Sequence, residues 1–182
     1  LNADDENLAA MAAERKGLKV IEYGIGYWNA MVLPSDADHP FVRMAIPDSV
    51  AEPVETKEGT ENLLCLETHL AGSYNANNIA AAIAVGLHFG VSLEDAIQAV
   101  SEYIPKNNRS QLEKTDRNIL IEDAYNANPT SMAAALDNLA TVQAAHKAVM
   151  IGDMRELGTE SVAEHIAILK KLALMDLDLV CP

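Results

Sequence analysis

The sequence is poor in cysteine, in basic residues and in long apolar runs, and each scarcity excludes a class of protein. Its two cysteines, Cys65 and Cys181, lie far apart, so they form no disulfide framework, and no His and Cys spacing is typical of zinc. No apolar run is long enough to span a membrane. Lysine and arginine total 13 against 27 acidic residues, and the net charge of −14 disfavours nucleic-acid binding. These features fit a protein of the reducing cytoplasm.

What the chain does contain is apolar material for a core. Hydrophobic residues make up 49% of its 182 positions, enough for one domain or two small ones. The chain begins without Met and without the basic and apolar zones of a signal peptide. Its last apolar segment stops at Cys181 and Pro182, where an α/β domain would normally continue. We therefore expect an internal piece of a longer protein.

The pattern of apolar residues predicts an α/β fold in two parts. Residues 1–106 are predicted to mix helices with short strands, and Pro105 to Asn108 then breaks the periodicity, so we expect a hinge there. Residues 107–182 alternate in the order β-α-β-α-β, which predicts a parallel sheet with right-handed crossovers. The predicted helices span 6–16, 75–89, 92–104, 129–145 and 160–174, and the predicted strands span 19–25, 41–46, 62–66, 119–122, 148–151 and 177–181.

The segment 123–132, Asp-Ala-Tyr-Asn-Ala-Asn-Pro-Thr-Ser-Met, carries the most information about function. It follows the predicted strand 119–122, and Asn128 and Pro129 are typical of the start of a helix. In an open α/β sheet, ligands bind in the crevice beyond the carboxyl ends of the strands. Capping explains Asn128 and Pro129, but it does not explain an acid, a tyrosine and a further asparagine in one turn. We therefore expect a binding site here.

Three segments resemble the motifs of the Mur ligases in order and in spacing. Residues 72–82 are similar to the family's Gly-x-His-Asn-x-x-Asn-x-x-Ala-Ala element, with Tyr74 in place of His. Residues 152–158, Gly-Asp-Met-Arg-Glu-Leu-Gly, resemble a second motif. Residues 123–132 resemble the signature of the branch that joins D-alanyl-D-alanine to UDP-N-acetylmuramoyl-tripeptide. The resemblance covers nearly the whole chain, most loosely over 30–65, and about half of a complete family member.

The resemblance implies an ATP-dependent amide ligase of peptidoglycan precursor synthesis, which works through an acyl phosphate and uses ATP and Mg²⁺. Residues 1–106 would form the rear of its central ATPase domain, and residues 107–182 the front of its Rossmann-like C-terminal domain. The family's P-loop, metal-binding Glu and His and carbamylated Lys would precede Leu1, so we expect the chain alone to be inactive. The resemblance further implies a cytoplasmic monomer that binds ATP, the UDP-linked tripeptide and D-alanyl-D-alanine, with no nucleic-acid partner and no membrane span.

The same resemblance assigns binding roles to single residues, but it assigns no metal ligand and no catalytic residue. The ATP side comprises Asn75, Asn78, Arg109 and Asp123. The amine side comprises Tyr125, Asn126, Asn128, Asp153 and Glu156. Simpler interpretations compete with these: helix capping for the asparagines, a solvated surface side chain for Arg109 and turn chemistry for the acids. If both groups bind substrates, the loops at 75–78 and 123–128 face one cleft between two moving bodies.

Other interpretations stay open. A folylpolyglutamate synthase or another Mur enzyme would share the superfamily, although its turn usually carries His where this chain has Tyr-Asn-Ala-Asn at 125–128. A non-catalytic nucleotide-binding module is a further alternative, and ATP hydrolysis would separate it from a ligase. Gly24 and Gly26 follow a predicted strand, but Asn29 replaces the third glycine of a dinucleotide-binding loop, which favours a plain turn.

Overall fold

The computed structural model describes residues 1–35, 39–51, 62–106 and 111–182. The chain divides into two compact units: unit 1 comprises Leu1–Pro34 and Phe41–Ile104, and unit 2 comprises Ser35–Pro40 and Pro105–Pro182. The division after Ile104 lies close to the boundary predicted after residue 106. Arg109 and half of the predicted hinge, residues 107 and 108, lie outside the described residues.

Unit 1 contains a three-stranded antiparallel sheet together with α-helices, which confirms a mixed α/β class. The strands are β1 (Met31–Leu33), β2 (Phe41–Pro47) and β3 (Leu63–Ala71), in the order β1-β2-β3. The helices are α1 (Glu6–Ala13), α2 (Asn75–His88) and α3 (Leu93–Glu102), and a short 3-10 turn spans Asp48–Ala51. The helices predicted over 75–89 and 92–104 are therefore confirmed, whereas the helix predicted over 6–16 ends three residues earlier.

Apolar residues at helical spacing on α2 build the core of unit 1. Ile79, Ala80 and Ile83 are almost inaccessible to solvent, and they belong to one cluster with Met44 and Ile46 of the central strand. Positions three and four apart lie on one face of a helix, so the sequence of α2 turns a single apolar stripe toward the sheet. This stripe packs α2 against the central strand β2.

The strand predicted over 19–25 is wrong. The structure has a single parallel bridge between Asn2 and Tyr23 in its place. Leu18 and Val20 are 66% and 39% exposed, so these apolar side chains do not pack on a sheet face within the described chain. A strand needs a neighbour along its whole length, and the backbone hydrogen bonds here join only Leu1 and Ala3 to Ile21 and Tyr23 among the described residues.

The glycines at 24 and 26 form a turn that binds the protein's own carboxylate. Asp4 accepts hydrogen bonds from the backbone N–H of Gly26 and of Tyr27, both at 2.9 Å. A Cβ atom on Gly24 would lie 2.7 Å from the Asp4 carboxyl carbon, so a side chain at this position would displace Asp4. The donors that a dinucleotide phosphate would require are already used, in agreement with a plain turn.

Unit 2 contains a β-hairpin and a pair of parallel strands. The hairpin consists of β4 (Gln111–Lys114) and β5 (Ile119–Glu122), and the parallel pair consists of β6 (Ala148–Met150) and β7 (Leu179–Cys181). Its helices are α4 (Pro129–Thr141) and α5 (Ser161–Ala173), and a 3-10 turn at Gly158–Glu160 leads into α5. The strand-helix-strand connection from β6 through α5 to β7 confirms the parallel part of the prediction.

The predicted continuation of the parallel sheet to residues 119–122 is not observed among the described residues. β5 pairs antiparallel with β4, in the register Leu112 to Ile121. The cause is local, because the Thr115 hydroxyl accepts hydrogen bonds from the backbone N–H of Arg117 at 3.3 Å and of Asn118 at 2.9 Å. This turn places β4 and β5 side by side through contacts between residues that are close in sequence.

The core of unit 2 lies between α4, α5 and the strand β6. Leu136 of α4, Val149 of β6 and Ile168 of α5 are at most 8% exposed and belong to one cluster. Met154, in the loop after β6, is 3% exposed and packs into the same cluster. The loop that carries the Gly-Asp-Met motif is therefore anchored by an apolar side chain.

Neither cysteine forms a disulfide bond. Cys65 and Cys181 both carry free thiols, in keeping with the absence of a disulfide framework. Across the described ranges, no helix combines the length and the apolar character needed to cross a membrane.

Candidate functional site

A cavity of about 310 Å³ opens in unit 2 beside the carboxyl ends of β6 and β7. Met132 from α4, Ile151 after β6 and Ile168 from α5 provide apolar walls, and Asp153 and His165 provide polar groups. Clefts of this volume bind small ligands, and parallel sheets bind them beyond the carboxyl ends of their strands. The cavity therefore lies where the sequence predicts a site, and residues of the motif 152–158 and of the first turn of α4 line it.

His165 connects helix α5 to the loop that follows β6. Its Nδ1 lies 2.7 Å from the carbonyl oxygen of Ser161, one turn earlier in the same helix. Its Nε2 lies 2.8 Å from the Asp153 carboxylate and 3.2 Å from the backbone nitrogen of Met154. The Asp153 side chain is 73% exposed, so its carboxylate faces solvent as well as the imidazole.

The surroundings of His165 raise its pKa above the ordinary value. The Ser161 carbonyl, which accepts a hydrogen bond from Nδ1–H, has the largest effect, and the Asp153 carboxylate adds to it, whereas burial lowers the pKa. A raised pKa means that the protonated ring stabilises the folded protein. This contribution is complete below the unfolded-state pKa of about 6.5 and is lost as the pH rises through the higher folded-state pKa.

Glu156, a predicted amine-side residue, lies in a strained backbone conformation. Its φ is +64°, in the left-handed region that side chains other than glycine rarely adopt. Such strain persists only where neighbouring structure fixes the backbone, and it is frequent at binding sites. The buried Met154 side chain supplies that anchor two residues earlier. The sequence did not reveal this strain, because Glu is an unusual residue for the conformation.

The segment after β5 presents its polar side chains to solvent. Asp123 and Asn126 are exposed, and Tyr125 is 61% exposed. Asn128 begins α4 as predicted: its side-chain oxygen accepts a hydrogen bond from the Ser131 backbone N–H at 2.9 Å, and the Ser131 hydroxyl accepts one from the Asn128 backbone N–H at 3.2 Å. The cap confirms the structural role of Asn128, and the predicted roles of all four residues in substrate binding stay predictions.

The two asparagines of the ATP side lie together in the first turn of α2. Asn75 is 6% exposed, and its side-chain amide donates a hydrogen bond to the Ala71 carbonyl at 2.8 Å. Asn78 is exposed and donates its side-chain amide hydrogen to the Asn75 side-chain oxygen at 3.1 Å. Asn75 thus connects the end of β3 to α2, which gives it a structural role besides the predicted contact with ATP. Asn78 is the more accessible of the two.

We expect Asn75→Ala to lower the free energy of unfolding of the chain by about 1–3 kcal/mol, because it removes the buried hydrogen bond between the Asn75 side-chain amide and the Ala71 carbonyl. The matched control is Asn77→Ala in the same turn, since Asn77 is exposed, and its effect should stay within about 0.5 kcal/mol. Urea unfolding of the two variants measures the difference. Equal stability of the two variants would contradict the structural role of Asn75.

Among residues 1–35, 39–51, 62–106 and 111–182, no three His, Cys, Asp or Glu side chains lie close enough together to hold a metal ion.

Comparisons with known proteins identify the class. Residues 108–181 match the family model described as "Mur ligase, glutamate ligase domain". The chain is 40% identical over 105 residues, 57% of its length and 22% of the relative's, to the UDP-N-acetylmuramoyl-tripeptide--D-alanyl-D-alanine ligase of Bacillus subtilis (strain 168). It is 31% identical over 176 residues, 91% of its length and 32% of the relative's, to the ligase of that name from Mycobacterium tuberculosis (strain ATCC 25618 / H37Rv).

Solved structures agree with these relatives. The chain is similar to MurF from Acinetobacter baumannii, with a TM-score of 0.73 and 26% identity over 98% of this chain and 37% of that one. MurF from Thermotoga maritima in complex with ADP shares the fold, with a TM-score of 0.74 at 17% identity, over 98% of this chain and 38% of that one.

The chain belongs to the Mur ligase family. Within it, the relatives described above carry the name of the D-alanyl-D-alanine-adding ligase. The chain spans 22% and 32% of the two curated relatives. The expectation that it covers about half of a complete family member is therefore too high.

His165 is the residue to which the sequence assigned no role. A signal was present, because a histidine lies four residues into the helix that follows the Gly-Asp-Met motif. Its importance depends on a contact across twelve residues with Asp153, and neither helical periodicity nor residue spacing predicts such a contact.

Proposed function

We propose that this chain forms part of an ATP-dependent ligase that joins D-alanyl-D-alanine to UDP-N-acetylmuramoyl-tripeptide. The observation that carries the proposal is the 31% identity over 91% of the chain to a ligase of that name. The exposed segment 123–128 at the end of β5 supports it, because its residues match that branch of the family. ATP dependence and a peptide precursor as substrate fit a cytoplasmic, monomeric enzyme of cell-wall synthesis.

We propose further that the two units correspond to two domains of the ligase. Residues 1–106 would be the rear of the central ATPase domain, and residues 107–182 the front of the Rossmann-like C-terminal domain. The family match over 108–181 supports the second assignment, because it begins next to the division between the units. The β6-α5-β7 connection supports a Rossmann-like sheet.

The reaction that we propose has two steps. ATP transfers its γ-phosphoryl group to the terminal carboxylate of the tripeptide, which gives an acyl phosphate and ADP. The amine of D-alanyl-D-alanine then attacks the activated carbonyl carbon, loses a proton, and inorganic phosphate leaves. Mg²⁺, when bound, would offset phosphate charge, and we expect its ligands outside the residues described here.

The residues of this chain would bind and orient the substrates. Asn78, Arg109 and Asp123 would contact ATP, with Asn75 fixing the turn that carries Asn78. On the amine side, the Asp153 carboxylate would hold the ammonium group of D-alanyl-D-alanine beside the cavity of unit 2 until the amine is deprotonated. Glu156, Tyr125, Asn126 and Asn128 would contact the same amine substrate.

A second candidate is a Mur ligase with another amine substrate. The chain is 29% identical over 150 residues, 81% of its length and 30% of the relative's, to the UDP-N-acetylmuramate--L-alanine ligase of Renibacterium salmoninarum. A non-catalytic nucleotide-binding module is the other alternative.

The amount of ADP that the ligase containing this chain releases separates these candidates. We expect ADP release over many turnovers to require both the UDP-linked tripeptide and D-alanyl-D-alanine. ATP hydrolysis that neither substrate stimulates would contradict the proposal, and binding of ATP without any hydrolysis would indicate the module.

A further inference from the structure

The hydrogen bonds of His165 cannot all exist at once. The Ser161 carbonyl is only an acceptor, so its contact of 2.7 Å with Nδ1, much shorter than the 3.4 Å contact of the Ser161 hydroxyl with the same nitrogen, requires a hydrogen on Nδ1. Nε2 lies near two groups of opposite character, the Asp153 carboxylate at 2.8 Å, which only accepts, and the Met154 backbone N–H at 3.2 Å, which only donates.

Protonation decides which of the two contacts is a hydrogen bond. In the neutral ring with Nδ1–H, the lone pair of Nε2 accepts the Met154 N–H, and the Asp153 carboxylate faces a lone pair. In the charged ring, Nε2–H donates to Asp153, and the Met154 N–H loses its acceptor. Because Met154 is only 3% exposed, its backbone cannot easily turn to water for a replacement.

We propose that His165 is a positioning residue: its charged form fixes the Asp153 carboxylate against α5, and its neutral form releases that carboxylate and instead holds the backbone N–H of Met154. Both groups border the cavity of unit 2, so the exchange changes the polar lining of that cavity. The consequence for amine binding rests on the function proposed above, in which Asp153 holds the ammonium group.

The charged groups near His165 influence the pH at which its ring loses a proton. Asp153 is the charged group that acts on the ring from the loop after β6. From α4 and from the segment directly after β6, the neighbours in the cavity are Met132 and Ile151, which carry no charge. Lys171, further along α5, is paired with Asp137 of α4 at 2.6 Å. The raised pKa places the exchange above the ordinary pKa of His.

Nuclear magnetic resonance of the 182-residue chain tests the proposal between about pH 5 and pH 8.5, a range that spans the ordinary pKa of His near 6.5. We expect the His165 ring to titrate above that ordinary value and the Met154 amide signal to move with the same midpoint. Asp153→Asn should lower the midpoint, and His165→Gln should abolish the pH dependence of the Met154 amide. The matched control is Asp178→Asn, which removes the partner of the exposed His146 and should change neither response.

A Met154 amide that does not follow the His165 midpoint, or a midpoint unchanged by Asp153→Asn, would overturn the proposal. A second measurement concerns the ligase. Below about pH 7.5, where the α-amino group stays mostly charged, the KM for D-alanyl-D-alanine should rise as the pH falls through the His165 midpoint, and this rise should vanish in His165→Gln. If the amide follows the ring but KM does not, the positioning role of His165 stands and Asp153 does not bind the amine.

Discussion

Residues 1–182 alone should release no ADP above background when ATP, the UDP-linked tripeptide and D-alanyl-D-alanine are all present. The sequence contains no Gly-x-x-x-x-Gly-Lys-Ser/Thr phosphate loop. Its net charge of −14 repels ATP at long range, so local donors would have to hold the phosphates. Positioning and charge stabilisation supply nearly all catalysis of phosphoryl transfer, so their loss should lower the rate by many orders of magnitude.

A coupled assay of ADP release measures this, provided that circular dichroism shows a folded chain. The positive control is the longer ligase under the same conditions. Turnover by residues 1–182 near a typical enzyme rate of about 10 s⁻¹ would show that the phosphoryl-transfer centre lies within this chain, and would contradict our assignment of it elsewhere.

The second large effect concerns Arg109 and Asp123 in the longer ligase. Arg109→Ala and Asp123→Ala should each lower kcat/KM for ATP about 10- to 100-fold, because a charge-assisted hydrogen bond contributes about 1.5–3 kcal/mol. A guanidinium suits the role of Arg109, since it is always charged and can bind two oxygens at once. Asp123 directly follows β5, where the strand ends and the polar segment begins.

The β4–β5 turn provides matched controls for both substitutions. Asp116 and Arg117 have the same side-chain types and are exposed, and the turn is held by backbone N–H groups rather than by these side chains. Asp116→Ala and Arg117→Ala should therefore leave the kinetics for ATP unchanged. Wild-type kinetics in Arg109→Ala and Asp123→Ala would remove both residues from the ATP side.

Features with a local cause were predictable from the sequence. Asn128 and Pro129 begin α4 because capping chemistry acts within four residues, and the apolar stripe of α2 follows from helical spacing alone. The predicted strand over 19–25 was wrong because a strand depends on a partner that may be far away in sequence. β5 was placed in the wrong sheet because the Thr115 turn was not recognised as the start of a hairpin.

The candidate site was predictable in composition but not in geometry. The motif 152–158 indicates that Asp153 and Glu156 lie in the loop after a strand, and the structure shows them in the loop after β6. The sequence did not reveal that Asn75 is buried against β3, that Glu156 has a positive φ, or that His165 contacts Asp153. Each of these depends on contacts or backbone angles that residue spacing does not specify.

The most direct test of the proposed function is the mass of the product that the longer ligase forms when the UDP-linked tripeptide is offered with equal amounts of D-alanyl-D-alanine and L-alanine. We predict a product heavier than the tripeptide precursor by one D-alanyl-D-alanine residue pair, formed with one ADP per product. Products that contain single L-alanine, or the absence of any amide product despite ATP hydrolysis, would contradict the assignment of this chain to the D-alanyl-D-alanine-adding branch.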